Sequence, residues 1–290
     1  MQCWNTSPLK ASSLLSPHTS ALLTGRPLRQ HLLLVLASLP LLLFLGVPLL
    51  ALVLRVSPAA LLAHLVDPTV AQAIALSIAT TLTSTLLALV GGTPVAYLLS
   101  RRRFRGRNVL DTLIDLPMVL PPSVAGIALL IAFGRRGLLG HYLTSVGIEI
   151  AFTRTAVVLA QTFVASPFYV KAAVAGFSSV ERELEQAAAI DGAGPLRVLR
   201  SITLPLAWPA LLGGLVMTWA RALGEFGATI IFAGNFPGRT QTMPLAIYIG
   251  FELDFDVALT LAVLLLISSF MVLFVVKYIL AQPARATWDR

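Results

Sequence analysis

Charge is scarce in this chain. Only 12% of its 290 residues are Asp, Glu, Lys or Arg, while 57% are hydrophobic. A soluble domain carries about 25% charged residues, so this scarcity excludes a water-facing globule and points to a chain embedded in lipid. Cysteine is nearly absent as well. Cys3 stands alone, which excludes an intramolecular disulfide, and no apolar signal precedes it that would make it a lipid-attachment site. The four histidines are scattered and form no zinc or haem spacing. A glycine-rich phosphate loop of the Walker type is missing, so the chain is not expected to hydrolyse ATP itself. No nucleophile–base pair or metal set stands out, which argues against a membrane enzyme and against a cofactor of its own.

Long apolar runs are what the chain does have. A helix needs roughly 20 apolar residues to cross the hydrocarbon core. Six stretches reach or approach that length: 31–54, 70–100, 110–133, 155–177, 204–226 and 257–280. Several hold proline (Pro40, Pro48, Pro94, Pro117, Pro121, Pro122, Pro167, Pro209), which spanning helices tolerate when neighbours re-satisfy the freed backbone groups. The expected fold is an all-α integral membrane bundle of six kinked helices over residues 29–280. Residues 1–28, rich in Ser, Leu and Pro, are expected to lack fixed structure. The apolar run after Arg26 and Arg29 is too long for a signal peptide, and no small-residue cleavage site follows it.

Orientation follows from the placement of lysine and arginine. Arg101, Arg102, Arg103, Arg105 and Arg107 follow the second stretch, and assigning that loop to the cytosol brings both termini there, because six is even. Lys10, Arg26 and Arg29 then fall on the same side, with Lys277, Arg285 and Arg290 in and near a C-terminal tail of 281–290. Arg55, Arg135, Arg136, Arg154 and Arg239 are left outside, with the Arg135–Arg136 pair as the exception to the trend. The arginine cluster calls for no nucleic acid, since its position at a span end accounts for it.

Between the fourth and fifth stretches lies a polar run, Glu183 to Pro195, flanked by Arg182, Arg197 and Arg200. Glu183 to Ile190 is free of helix breakers and rich in Ala, Leu and Glu, strong helix formers. Gly192 permits the positive φ that ends such a helix, and Pro195 can open the next. From there Leu196, Leu199, Ile202 and Thr203 form an apolar stripe beside Arg197 and Arg200. A short helix, a tight turn and a helix feeding the fifth span make a rigid cytosolic knob suited to a partner's groove. The plainer account is an amphipathic loop resting on the membrane interface.

Gln186-Ala187-Ala188, then Gly192-Ala193, then Leu204-Pro205 resembles the loop by which permease subunits of ATP-binding-cassette (ABC) importers seat on their ATPase. Glutamine stands where that family usually has glutamate, with Glu185 one place earlier and Glu183 before it. Asp115-Leu116-Pro117-Met118-Val119-Leu120-Pro121-Pro122-Ser123-Val124-Ala125-Gly126 is similar to the third-span signature of the molybdate, tungstate and sulfate permeases. The run Trp219 to Thr229, continuing through Phe232-Ala233-Gly234-Asn235 and Gly238 to Tyr248, is similar to the molybdate branch nearly residue for residue. The resemblance covers about residues 70–280. It implies a type I ABC importer permease-like bundle working as a homodimer in a bacterial-type cytoplasmic (inner) membrane. It also implies an extracytoplasmic binding protein and cytosolic ATPase subunits that carry the ATP and Mg. The cargo implied is molybdate first, tungstate next, sulfate or thiosulfate third. In the docking loop, about 178–204, the residues implied are Glu183, Glu185, Gln186, Ala187, Ala188, Asp191, Gly192 and Ala193.

The candidate gate and pathway residues are Arg221, Gly224, Glu225, Gly227, Thr229, Asn235 and Arg239. Arg221 and Glu225 are four apart, on one helical face near the outer end of the fifth span. They either shape a polar gate or hold the helix end in one of two states, or they form a structural ion pair pinning two helices. Gly224 and Gly227 either let that span bend or mark where it stops. The turn Gly234 to Thr242 offers an arginine, hydroxyls and amides to an oxyanion; alternatively it is a capped loop in which Thr242 and Pro244 begin a short helix. Glu252, Asp254 and Asp256 on the same side are either solvated or meet a delivering protein. An ion-driven anion carrier or channel is the competing class; it calls for acids or histidines in mid-span, and the apolar stretches are nearly free of them.

Overall fold

The structure, a computed structural model, describes residues 26–285, and every regular element in them is helical. The expected tail thus falls mostly outside the described residues, as do the last five positions. α1 (Arg26–Arg55) belongs to a body of its own. It is long, apolar and free of acids, with Pro40 and Pro48 inside it, the pattern of a membrane span.

The second body holds the remaining helices. α2 (Pro58–Leu65) leads to α3 (Pro68–Arg101), whose start is fixed by Asp67. The Asp67 carboxylate accepts the Thr69 amide at 2.7 Å, and this bond holds its pKa below the usual carboxylate value. Pro68 at the first helical position loses no intrahelical bond.

α7 (Arg154–Ser179) packs on both α3 and α10 (Leu204–Leu223). Along α3 and α7 the contacts advance together: Ser84 donates to Gln161 at 3.1 Å, Thr93 meets Tyr169 at 2.6 Å, and Arg101 reaches the Val180 carbonyl at 3.2 Å. The two helices are therefore parallel. Along α10 the order reverses, with Gly176 beside Ala207 and Ala210 but Gly214 beside Ala172 and Tyr169, so α10 is antiparallel to α7. Small residues make these approaches possible. A Cβ on Gly176 would stand 2.6 Å from that of Ala210, and one on Gly214 2.7 Å from that of Ala172. Leu99, Tyr169, Phe177 and Leu211 fill the space between the three helices.

The third apolar stretch departs from the single kinked span expected of it. α4 (Arg107–Val119) and α5 (Pro122–Phe133) meet at a bend of 116°. Leu120 precedes a proline and takes an extended conformation, φ −64° and ψ 136°, while Pro121 and Pro122 supply no amide to continue the ladder. α4 starts beside the end of α3, where Arg107 Nε donates to the Leu99 carbonyl at 3.0 Å. α5 ends with Phe133 against Phe232, ring centroids 6.4 Å apart, in a cluster that includes Ala156 near the start of α7. The pair thus runs from the Arg101 end of the bundle to the Arg154 end and makes one broken crossing. Among the described residues five helices are long and apolar enough to cross alone, and the pair counted as one span makes a sixth.

After α6 (Gly140–Ser145) and α7 come α8 (Arg182–Ile190) and α9 (Pro195–Val198), the latter joined to α10 by a π-helical turn at Leu199–Thr203. α11 (Gly227–Phe232), α12 (Met243–Leu253) and α13 (Phe255–Arg285) complete the body. α13 starts at the Arg154 end, where Leu261 packs with Val70, Ala73, Met243 and Ala246.

Gly176→Leu and Gly214→Leu are each expected to lower stability by about 1–3 kcal/mol through overpacking, read as a fall in Tm in detergent. Gly213→Leu, where a Cβ meets nothing within 4 Å, should stay within about 0.5 kcal/mol of the parent. Equal losses at all three positions would show that the close approach does not set the packing.

Candidate functional site

At the Arg101 end, α8, the turn and α9 project as a knob. Gly192 takes φ +86°, which glycine adopts without a steric cost. Its amide bonds the Ala189 carbonyl at 3.1 Å, and that of Ala193 bonds Ala188 at 2.9 Å, so the last carbonyls of α8 are satisfied by the turn itself. Pro195 opens α9. No residue of α8 is buried. Glu183, Gln186, Ala187, Asp191 and Gly192 face outward, and Ala188 and Ala193 are half-buried.

Glu185 differs from its neighbours. Its side chain is only 18% exposed, and its Oε1 accepts from Arg101 Nη2 at 2.7 Å and from Thr203 Oγ1 at 2.6 Å. It ties the knob to the bundle rather than joining the outer surface. Sequence reasoning missed the apolar side of the knob: Ile190 is 86% exposed, with Leu184 and Leu196 also open. The available signal was that Ile190 sits at the helix end, off the stripe that begins at Leu196. Beside it, Gly194, Pro195, Leu196, Arg197, Arg200 and Ser201 line a shallow hollow of about 460 Å³.

At the opposite end, α10 stops at Leu223 with Gly224 as its cap. Glu225, 1% exposed, holds Arg221 at 2.8 Å with one oxygen. Its other oxygen accepts the Ala228 amide at 2.8 Å, within the first turn of α11. The pair is therefore a joint between two helices, not a pair along one continuous span. Gly224 has φ −85°, and a Cβ there would meet only the Ala220 carbonyl, at 3.8 Å. Gly227 is needed for contact, since a Cβ there would lie 2.6 Å from that of Pro122 in the broken span. Thr229 is fully buried, and among the described residues its hydroxyl has no hydrogen-bond partner.

The turn after α11 is built by its backbone. The amides of Arg239, Thr240 and Gln241 all bond the Phe236 carbonyl, Thr240 Oγ1 accepts the Phe236 amide at 3.1 Å, and Asn235 donates to the Leu245 carbonyl at 3.2 Å. Arg154 Nη2 donates to the Gly238 carbonyl at 2.9 Å, while Arg239 points outward with no ion pair among the described residues. Thr242 precedes α12 but makes no side-chain cap bond. Asp254 caps α13 by accepting the amides of Asp256 and Val257, so its carboxylate is part of the fold; Glu252 and Asp256 are exposed. The structure keeps the knob residues together at one end and the seven gate and pathway candidates at the other.

A third cluster was not singled out in the sequence. Lys171 on α7 bonds Asp111 at 2.7 Å and Asp115 at 2.8 Å, both on α4. The apolar stretches are thus less free of acids than expected. All three groups are half-exposed, and the ion pairs hold α4, which has no buried residue, to α7. Among the described residues, no group of three or more His, Cys, Asp or Glu could hold a metal.

The profile of the family described as "Binding-protein-dependent transport system inner membrane component" matches residues 88–284. The chain is similar to the molybdenum transport system permease protein ModB of Mycobacterium tuberculosis, 44% identical over 229 residues, covering 79% of this chain and 87% of that one. It is likewise similar to ModB of Escherichia coli K12, 44% identical over 178 residues, covering 61% and 78%. Among solved structures, a subunit of a bacterial ABC transporter involved in import of the polysaccharide alginate superposes with a TM-score of 0.70, at 15% identity, over 89% of this chain and 96% of that one.

Glu225→Gln keeps an oxygen for the Ala228 amide but leaves Arg221 without its counter-charge, at an expected loss of about 1–3 kcal/mol. Glu225→Ala also orphans the amide and is expected to lose about 3–5 kcal/mol. Denaturation in detergent measures both; equal losses would show that the bond to Ala228 contributes nothing.

Proposed function

Because the chain belongs to the family of binding-protein-dependent transport system inner membrane components, we propose that it is the multi-pass permease subunit of an ATP-driven importer for a tetrahedral oxyanion, molybdate first. The knob carries this reading. It is rigid, exposed and tipped by Ile190, and it stands at the end of the bundle where the arginines cluster. Beyond its Glu185 tie to Arg101 and Thr203, α8 has no buried residue; a partner's groove gives its outer face a purpose. The molybdenum permeases to which the chain is similar support the choice of cargo.

In this reading the Arg101 end faces the cytoplasm, and both termini lie there, as the lysine and arginine bias requires. ATP and Mg act on a partner ATPase, not on this chain. Two copies form the pathway between them, since one knob supplies half of what a two-headed ATPase needs. Glu183, Gln186, Ala187, Ala188, Asp191, Gly192 and Ala193 make the docking surface, with Ile190 added. A binding protein delivers the anion at the Arg154 end, where Arg239 and the turn amides offer donors to an oxyanion. Closure of the ATPase pair draws the knobs together, and the α10–α11 joint at Arg221 and Glu225 changes the outer opening.

The test is co-purification of the tagged chain with its candidate ATPase, followed by ATPase stimulation with binding protein loaded with molybdate, tungstate or sulfate. Strongest stimulation by molybdate is expected. Gly192→Pro, which imposes a negative φ on a turn at +86°, should abolish stimulation while leaving the spans inserted. A chain that holds no ATPase, or a Gly192→Pro variant that imports at the parent rate, would move the assignment to an ion-driven carrier or channel.

A further inference from the structure

Four segments meet at the Arg101–Glu185 ion pair. Arg101, the last residue of α3, has a side chain only 9% exposed. Both of its terminal nitrogens donate to the Val180 carbonyl at 3.2 Å, just past the end of α7. Nη2 also donates to Glu185 Oε1 on α8 at 2.7 Å. That oxygen accepts in turn from Thr203 Oγ1 at 2.6 Å, and Thr203, fully buried, closes the π turn from which α10 springs. One carboxylate oxygen therefore joins α8 to α3 and α10. Among the described residues it is the only side-chain acceptor that ties α8 to the bundle.

The geometry suits a mechanical part. A charge-assisted fork resists sliding in a way that apolar contact does not, because its bonds have direction. The π turn is the wide, loosely wound start of α10, with Leu204 bonding back to Leu199, and such turns recur at functional positions. The Thr203 bond adds a direct tie between this turn and α8, beside the covalent path through α9. Both long helices held here also make polar contacts toward the far side. Ser77 on α3 accepts the Met243 amide at the start of α12 at 2.7 Å, and α10 leads to Arg221 and Glu225.

We propose that Arg101 and Thr203 are positioning residues that make α8 move α3 and α10 as one, so that a stroke applied to the knob reaches both polar contacts toward the far side. This rests on the chain being an ATP-driven importer subunit. Arg101 then serves as a linkage, although its place in a basic cluster suggests a topological signal alone.

The experiment uses the complete complex in proteoliposomes, with ATPase subunits and molybdate-loaded binding protein, and measures ATP hydrolysed and molybdate imported in the same vesicles. Arg101→Gln is expected to retain the ATPase subunits and keep hydrolysis within roughly threefold of the parent, while import falls roughly tenfold, so that ATP consumed per anion rises. Thr203→Val, which removes only the limb to α10, should move the ratio in the same direction by a smaller factor, and it decides the matter if Arg101→Gln does not assemble. An unchanged ratio overturns the inference, whether both activities stay normal or fall in step, since a purely structural anchor would lower them together. A parent complex that neither holds ATPase nor imports overturns the importer reading itself, and the parent control separates that failure from this one.

Discussion

α7 lies between α3 and α10 at separations that only glycine and alanine permit, and the other elements take their places from that contact. In hydrocarbon there is no hydrophobic gain in bringing two helices together, so close packing and internal polar bonds must supply the attraction. Gly92, Gly176 and Gly214 provide the first. The Ser84–Gln161 and Thr93–Tyr169 bonds provide the second. Because α3 and α7 are parallel, their ends coincide, and the chain must return across the bilayer between them. The broken pair α4–α5 makes that return, held near the Arg101 end by Arg107 and Lys171 and near the Arg154 end by the cluster around Phe232.

Much of this was legible in the sequence, for identifiable reasons. Apolar length found the spans because the bilayer imposes it on each helix separately. The helix, turn and helix around Gly192 could be read because strong helix formers, a glycine and a proline stand in the order that local backbone preferences require. Pro121 and Pro122 announced a disturbance, yet nothing local sets an angle of 116°; that depends on what α5 packs against. The reading of Arg221 and Glu225 as an ion pair pinning two helices agrees with the structure, but Glu225 lies past the end of α10 rather than on its face, and its second oxygen holds Ala228.

What escaped notice was tertiary. Lys171 and Asp111 are sixty positions apart, and each in isolation is a lone charge in an apolar stretch. Glu185 sits among residues that face outward, and only the fold shows it turned toward Arg101 and Thr203. Arg101 was the first of five basic residues with one collective explanation, which concealed that it alone of them bonds Val180 and Glu185. A charge at the edge of a cluster calls for the question of which carbonyl or carboxylate lies within its reach.

Ile190 remains at the tip of the knob, 86% exposed. An aliphatic side chain in water forgoes roughly 1.5–3 kcal/mol of transfer free energy, and here nothing in the chain's own second body recovers it. Under the proposed function, a subunit alone carries its own mark, a greasy point on a polar stalk that a partner's groove would cover. On that proposal, solubility at that end is a property of the assembly, and a cell making this chain in excess of the partner that covers Ile190 would be left with a surplus that invites non-specific capture.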